Sequence, residues 1–324
     1  MTLPDFFVIG APKTGTTALH AALARHPQLH LSSVKEPKFF LCGEQPPPKE
    51  NGPGDAHSAQ EWVWRRDHYE ALFAGAPPGA LRGESTPFYL SDFAAQRRLR
   101  QEVPDARLVA VVRDPVDRAY SNWAHLWADG LEPEADFLTA CELEGEREAA
   151  GWARFWRYRT LGRYGEQLQH LYSLFPKRQV HVLRYRELVD SPRAAVDGIC
   201  AFLGVDEGLV DEVPSANVST YVPPSMASRV LQEAVRTGAD VGRFFPPKLW
   251  RVASGPLLRA LQGTRPRPRP DLDPDDRRTL VTWFADDIRL LEQLTGRSYD
   301  DWLTHRTGGA FTVRKAAGGA AASG

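Results

Sequence analysis

The chain alternates between short apolar runs and longer stretches in which apolar residues recur every three or four positions. Residues 6–9, 107–112 and 180–183 are runs of the first kind. The middle run has no polar alternation, which indicates a strand covered on both faces. Strands that alternate with helices predict an α/β fold, namely a single P-loop-like domain with a central parallel sheet flanked by helices.

Helical spacing of apolar residues follows the first run and recurs along most of the chain. The predicted helices are residues 16–25, 62–73, 116–128, 164–175, 192–203, 224–236 and a C-terminal stretch from Asp273 to Leu294. Residues 28–31 form a short extended piece, and residues 42–59, rich in Pro, Gly and charge, predict a long surface loop. The domain is expected to cover residues 1–306, because residues 307–324 are Gly/Ala-rich and predict a disordered tail.

Bulk composition narrows the class of protein. The 324 residues carry a net charge of −1, so the molecule has no general attraction for nucleic acid, and the Arg–Pro alternation at 265–270 indicates a stiff linker. Cys42, Cys141 and Cys200 are widely spaced and fit a reducing compartment. No basic leader precedes the first apolar run, and no apolar segment approaches about 18 residues. We therefore expect a cytoplasmic protein without an integral membrane segment, of undetermined oligomeric state.

The loop between the first strand and the first helix is the most informative segment. Its glycines, Gly10 and Gly15, are five apart, as in a phosphate-binding P-loop. That motif has a lysine directly after the second glycine, where this chain has Thr16; its lysine is instead Lys13, inside the loop. A helix N-terminus behind glycines is suited to an anion, whereas the alternative is a plain strand-to-helix turn.

Lys35-Glu36-Pro37-Lys38-Phe39-Phe40 is a second segment with candidate chemistry. A carboxylate flanked by two lysines and backed by aromatic residues can stay ionised while partly sheltered from water, which suits a general base. The alternative for Glu36 is membership of a solvated charge cluster.

The segment from Arg113 to Ser121 joins the 107–112 strand to the next helix, where open α/β sheets bind ligands. Arg113 can contact a phosphate with two N–H groups, and Ser121 can reach the same group from the helix. The alternative is that Arg113, Asp114, Asp117 and Arg118 only form ion pairs around a turn. We assign Arg113 to a ligand and Arg118 to a structural role.

Together these segments resemble a sulfotransferase that uses 3′-phosphoadenosine 5′-phosphosulfate (PAPS). They are most similar to the branch that contains the heparan sulfate N- and 3-O-sulfotransferases and many actinobacterial enzymes. The resemblance continues through residues 161–164, 175–176, 182–189, 202–204 and 272–302, so it covers most of the chain.

The resemblance implies a role for each matching residue. The residues implied in binding the 5′-phosphosulfate are Pro12, Lys13, Thr14, Gly15, Thr16 and Thr17. It also implies that Lys13 stabilises the leaving group, that Arg113 and Ser121 hold the 3′-phosphate, and that Glu36 is the catalytic base. Sulfuryl transfer to a hydroxyl or amine would then proceed by in-line displacement, with adenosine 3′,5′-bisphosphate as product and no metal expected.

Two departures from the heparan-type pattern bear on the acceptor. Ser85 occupies the position of a lysine in that branch, which implies a small-molecule or other carbohydrate acceptor in place of a heparan chain. The late basic contact of that branch has no recognisable counterpart; its candidates are Arg229, Arg243 and Lys248. His57 or His68 could approach an active site. Five aromatic residues could form an acceptor platform or pack in the core: Trp123, Trp127, Trp152, Phe155 and Trp156.

Two other functions stay open on the sequence. A P-loop nucleotide kinase would bind ATP with Mg²⁺, although Thr16 stands where its lysine is needed. A catalytically silent anion-binding or partner-binding protein would bind adenosine 3′,5′-bisphosphate and transfer nothing.

Overall fold

The computed structural model describes residues 2–53, 62–210, 212–214, 222–223, 230–235 and 270–304. Its centre is a five-stranded sheet in the order β2-β3-β1-β4-β5, in which every neighbouring pair is parallel. The strands are β1 (Phe6–Gly10), β2 (Leu29–Leu31), β3 (Leu81–Ser85), β4 (Arg107–Val112) and β5 (Val180–Arg184). The α/β fold with a central parallel sheet flanked by helices is confirmed.

Helices connect the strands and cover both faces. Those that lead up to β5 are α1 (Thr16–Leu23), α2 (Phe39–Cys42), α3 (Arg66–Ala71), α4 (Phe93–Glu102), α5 (Pro115–Ala128), α6 (Phe137–Glu142), α7 (Glu144–Ala149) and α8 (Tyr164–Leu174). Those that follow are α9 (Tyr185–Asp190), α10 (Pro192–Leu203), α11 (Pro274–Thr295) and α12 (Asp300–Leu303). Short 3-10 turns cover Arg154–Trp156, Thr160–Gly162 and Lys177–Gln179.

The central strand β1 sends alternate side chains to two cores. Phe6 and Val8 pack with α1 and α10 on one face, while Phe7 and Ile9 face a larger core built with α5, α8 and α11. All of these residues are fully buried. The apolar run that predicted the strand therefore reflects burial on both faces.

Strand β3 and helix α4 were missed by the sequence analysis. Strand β3 reads Leu-Arg-Gly-Glu-Ser, and glycine and charged residues are rare in strands. Gly83 is required because a Cβ there would lie 2.1 Å from the Phe6 ring on the paired strand. A close approach between neighbouring strands explains a sequence that has little intrinsic preference for β structure.

The other predicted strands and helices that the structure describes agree closely in their bounds, with the exception of helix 62–73, which shortens to α3. The helices α2, α6, α7, α9 and α12 were also not predicted. The predicted loop at 42–59 begins as buried helix, since Cys42 ends α2. The predicted helix at 224–236 is described only over 230–235, and the linker residues 265–269 and the tail 307–324 lie outside the described residues. No helix within the described ranges is long and apolar enough to cross a bilayer.

A buried ion pair joins the C-terminal helix to the start of α5. The Asp114 side chain caps α5 by accepting hydrogen bonds from the N–H groups of Val116 (2.9 Å) and Asp117 (3.1 Å). Arg277, on α11, donates to the Asp114 carboxylate and to Asp117 at 3.1 Å, with a side chain only 3% exposed. Burial disfavours the charged guanidinium, but the two carboxylates outweigh it and raise the pKa of Arg277.

Replacing Arg277 with leucine is expected to destabilise the fold by about 3–5 kcal/mol, because Asp114 would stay buried without its partner. Urea denaturation of both proteins measures the loss. Arg289→Ala is the matched control, because Arg289 lies on the same helix with a side chain 64% exposed; we expect a change within about 0.5 kcal/mol. A loss below about 1 kcal/mol for Arg277→Leu would contradict the role assigned to this ion pair.

Candidate active site

Two of the segments singled out in the sequence meet the residues that follow β3 at one edge of the sheet. The loop after β1, the residues after β3 and the residues after β4 all leave the carboxyl ends of neighbouring parallel strands. Backbone hydrogen bonds continue past the strands, from Leu90 N to Ile9 O (2.8 Å) and from Ala11 N to Val111 O (2.8 Å). This edge is where open α/β sheets bind their ligands.

The loop at residues 10–15 is held by its own side chains and by α9. The Thr14 hydroxyl donates to the Ala11 carbonyl at 2.7 Å. Lys13 and Gly15 have positive φ, +67° and +80°, and Gly15 is the N-cap of α1. A Cβ at Gly15 would lie 3.1 Å from the Tyr185 ring, so glycine suits both the backbone and the close approach. The first N–H groups of α1 open beside this loop.

The candidate binding residues of the loop differ in how far they are buried. Pro12, Thr14 and Thr16 are buried, Lys13 and Gly15 are half-buried, and Thr17 is exposed.

Arg113 lies against the loop, as its sequence position indicates. Its guanidinium donates to the Lys13 carbonyl at 3.3 Å and stacks over the Tyr185 ring at 4.7 Å. Arg118 is fully buried and donates to the Tyr158 carbonyl at 2.6 Å, in agreement with a structural role. The structure thus places Arg113 at the edge and Arg118 in the core.

The segment that carries Glu36 is fixed to the residues that follow β3. The N–H groups of Glu36, Lys38 and Phe40 donate to Ser85 O (3.1 Å), Thr86 Oγ1 (3.3 Å) and Tyr89 OH (3.2 Å), respectively. Glu36 and Lys38 both have positive φ, +58° and +62°, so the anchored segment turns sharply before α2 begins. Glu36 is half-buried and ion-paired with the Lys35 ammonium.

His20 is part of this site and was not singled out by the sequence analysis. It lies on α1, with Nδ1 2.9 Å from Ser85 Oγ. Burial, and secondarily the Lys35 charge, lower its pKa to about 4, against a smaller opposing effect of Glu36. Ser85 stands where the heparan-type branch has a lysine. In this chain a neutral His20–Ser85 pair therefore takes the place of that positive charge.

A polar stripe on α5 faces the same edge. Within an otherwise buried helix the half-buried positions are Asp117, Ser121, His125 and, at its C-cap, Asp129, each four residues from the last. Such spacing lies along one helix face. His125 Nε2 is 3.6 Å from the Asp129 carboxylate. This periodicity of polar residues is a sequence signal that could have identified His125 and Asp129.

The charge of Lys13 affects the pKa of both residues at the end of the stripe, His125 and Asp129. Burial, then the charge of Lys13, lowers the pKa of His125 to about 4. Burial raises the pKa of Asp129 to about 6, and Lys13 opposes that shift. At neutral pH the pair is thus a neutral imidazole beside an ionised carboxylate, both within the electrostatic reach of Lys13.

Of the two alternatives for the five aromatic residues, core packing holds for three. Trp123, Trp127 and Trp156 are 3%, 1% and 2% exposed and pack in the core. Trp152 and Phe155 are half-buried. Phe155 alone among the five contacts the polar stripe, edge-on to His125 at 5.9 Å, and it also packs on Phe88 at 5.8 Å.

The remaining candidates named from the sequence are either exposed on another helix or outside the described residues. His68 is 67% exposed on α3 beside Asp67. His57, Arg229, Arg243 and Lys248 lie outside the described residues. In the part of the chain that the structure describes, no cluster of three or more His, Cys, Asp or Glu side chains is arranged to hold a metal ion.

With this geometry in hand, comparison with known proteins is decisive about the family. A model described as the sulfotransferase family matches residues 4–208. The chain belongs to the sulfotransferase family. The resemblance found in the sequence is therefore confirmed, and the chain is an enzyme of the sulfotransferase class.

Curated relatives of this sulfotransferase include two kinds of heparan sulfate enzyme. It is 26% identical over 313 residues to bifunctional heparan sulfate N-deacetylase/N-sulfotransferase 2 of Bos taurus, a match over 93% of the chain and 31% of that protein. It is 28% identical over 211 residues to human heparan sulfate glucosamine 3-O-sulfotransferase 3B1, over 65% of the chain and 48% of that protein. The chain thus spans less than half the length of these relatives.

A solved structure agrees with the fold. The crystal structure of a sulfotransferase from Alicyclobacillus acidocaldarius superposes with a TM-score of 0.70 at 28% identity, covering 93% of this sulfotransferase and 99% of that chain. The match extends beyond residues 4–208 and so includes elements outside the family model.

Lys13→Ala is expected to raise the pKa of His125 above about 4 yet leave it below the ordinary 6.5, because burial is the larger cause of the shift. Titration of the histidine ring resonances by NMR measures this. His20 is an internal control: its low pKa arises from burial and Lys35, so it should not move. An unchanged His125 would show that Lys13 does not face the α5 stripe.

Proposed function

We propose that this sulfotransferase moves the sulfuryl group of PAPS to a hydroxyl or amine of a small-molecule or carbohydrate acceptor. The observation that carries the proposal is the position of Lys13 within the loop, between Arg113 on one side and the α5 stripe on the other. Family membership supports the sulfuryl-transfer chemistry, and the residue roles below are our assignment.

The donor would occupy the loop and the start of α1. Backbone N–H groups at a helix N-terminus favour an anion, and residues Pro12 to Thr17 form that terminus here. Arg113, whose guanidinium is oriented by the Lys13 carbonyl and Tyr185, would bind the 3′-phosphate together with Ser121 on α5. The Arg113 side chain would lose little conformational entropy on binding the phosphate, because the Tyr185 ring already holds the guanidinium in place.

Lys13 would stabilise the charge that develops as the donor bond breaks. In transfer, the acceptor oxygen or nitrogen forms a bond to sulfur while the bond from sulfur to the bridging oxygen breaks. The electron pair stays on the 5′-phosphate of adenosine 3′,5′-bisphosphate. An ammonium near that oxygen is worth more at a half-buried position than in water, because little solvent screens it.

Glu36 would take the proton that the acceptor loses. Its backbone is anchored by the N–H to Ser85 O bond, and its carboxylate pairs with the Lys35 ammonium. A general base needs a defined position before it needs a particular pKa. The proton moves from the attacking O–H or N–H group to Glu36, and the balance of the reaction needs no metal.

The acceptor would enter between the Glu36 segment and the α5 stripe. The relatives carry heparan sulfate in their names, which supports a carbohydrate acceptor. His125, Asp129, Phe155 and Phe88 offer hydrogen bonding beside apolar ring surface, a combination suited to a sugar or an aromatic alcohol. The neutral His20–Ser85 pair supports an acceptor with less negative charge than heparan sulfate.

Lys13→Ala is expected to lower the transfer rate by about 10²–10³, because it removes one electrostatic contact to the leaving group. Glu36→Gln should lower it by about 10²–10⁴ through loss of the base. Transfer of ³⁵S from labelled PAPS to a library of sugars and phenols measures both variants.

Lys49→Ala and Glu142→Gln are the matched controls, since both side chains are exposed and lie outside the site. They should retain the rate of the unmodified enzyme. Full activity in both Lys13→Ala and Glu36→Gln would overturn the residue assignments, even if PAPS is the donor.

The choice of nucleotide is a separate prediction that needs no acceptor. Adenosine 3′,5′-bisphosphate at 100 times its dissociation constant is expected to stabilise the protein by about 2.7 kcal/mol. ATP with Mg²⁺ should give a smaller shift in a thermal melt, since Thr16 stands where a kinase loop has its lysine. A larger shift with ATP and Mg²⁺ would favour the nucleotide-kinase alternative.

A further inference from the structure

Glu84 is a buried carboxyl group at the centre of the site edge that the proposed mechanism does not use. It precedes Ser85 at the end of β3 and is 0% exposed. Neither of its carboxyl oxygens has a partner in hydrogen-bond geometry within the described part of the chain. A carboxylate isolated in this way is far less stable than the protonated acid, because nothing replaces its lost hydration.

The surroundings of Glu84 are aromatic. Phe7 lies beside it in the parallel register of β1 and β3. The Phe7 ring packs edge-on against Phe40 at 5.6 Å, and Phe40 packs in the same way against Tyr69 and Tyr89, both at 5.8 Å. All four rings are buried. An ionised Glu84 would need water or a cation beside it, and this cluster provides mainly aromatic surface.

Two hydroxyls of the cluster connect Glu84 to the Glu36 segment. The hydroxyls of Tyr69 and Tyr89 lie close enough to the carboxyl group to lower its pKa. The Tyr89 hydroxyl also accepts the Phe40 N–H at 3.2 Å, and the Tyr69 ring stacks on Phe39 at 4.2 Å. A change of charge on Glu84 therefore acts on the groups that anchor the end of this segment.

The charged groups around Glu84 favour its neutral form. Burial raises its pKa to about 8; the Tyr89 and Tyr69 hydroxyls offset part of that shift, and the charge of Glu36 adds to it. Burial likewise raises the pKa of both tyrosines well above 10, so both hydroxyls keep their protons. Of Glu84 and the two tyrosines, only Glu84 changes charge near neutral pH.

We propose that Glu84 is a positioning residue that holds the Lys35–Phe40 segment in place in its protonated form and releases it on ionisation. The assignment of Glu36 as base rests on the proposed function, whereas the charge state of Glu84 does not. On ionisation the carboxylate draws both tyrosine hydroxyls toward itself and repels Glu36. The Phe40 N–H then loses its acceptor, and the Glu36 carboxylate leaves its fixed position.

The pH–rate profile of Glu84→Gln tests the proposal, because glutamine keeps the shape and cannot ionise. The kcat/KM of the unmodified enzyme should fall about tenfold between pH 7 and pH 9, as expected for one ionisation near pH 8. Glu84→Gln should lack this alkaline fall, while Glu142→Gln, at an exposed position, should keep it. An alkaline fall that persists unchanged in Glu84→Gln would overturn the proposal.

Stability gives a readout that needs no activity. The folded-state pKa of Glu84 is raised from 4.5 to about 8, so the unfolded chain loses this proton first and stability declines as pH rises from about 5 to about 8. Glutamine has no such linkage. The melting temperature of Glu84→Gln relative to the unmodified protein should therefore increase over this range by at least about 3 °C. A constant difference would overturn the proposal.

Amide hydrogen exchange reports on the segment itself and uses the unmodified protein. Above pH 8 the N–H groups of Glu36, Lys38 and Phe40 should exchange at least about tenfold faster than the chemical effect of pH alone, in step with the ionisation. Unchanged protection would overturn the proposal. If protection and stability change as expected but no acceptor is sulfated, the proposed function fails and the role of Glu84 stands.

Discussion

Parallel pairing of β1 with both β3 and β4 is the constraint on which the site depends. Three segments far apart in sequence leave these strands at the same edge: the loop with Lys13, the Glu84–Tyr89 residues that anchor Glu36, and Arg113 ahead of α5. A slip of one residue in either pairing would turn the side chains of the strand to the opposite core and displace its loop. The two cores on either side of β1 fix this register.

The edge divides into regions of different electrostatic character. The loop and Arg113 offer positive charge and N–H groups, as an anionic donor requires. The opposite side combines Glu36, the neutral imidazoles of His20 and His125, and Asp129, which are suited to moving or orienting a proton. Lys13 lies between the two regions. Under the proposed function this single lysine would serve both binding and electrostatic stabilisation, whereas a P-loop kinase has its lysine directly after the second glycine.

The sequence was informative wherever the decisive pattern is local. The loop, β1, β4 and the bounds of α10 follow from short apolar runs and glycine or proline signals. Strand β3 was missed because its glycine, Gly83, is required by the close approach of the Phe6 ring on another strand. No local sequence pattern shows such a contact. His20 was missed for the same reason, since its significance arises from Ser85. His125, in contrast, belongs to a four-residue polar periodicity that the sequence does show. The choice between an aromatic platform and core packing stayed open in the sequence because composition does not tell which helix face is buried.

The ion pair of Arg277 has a consequence for how the chain is made. Arg277 follows its partner Asp114 by 163 residues, so at ribosomal speeds of about 5–20 residues per second it emerges roughly 10–30 s later. Until then the cap of α5 holds a carboxylate whose counter-charge has not been synthesised. Completion of the start of α5, next to Arg113, therefore waits for the synthesis of α11.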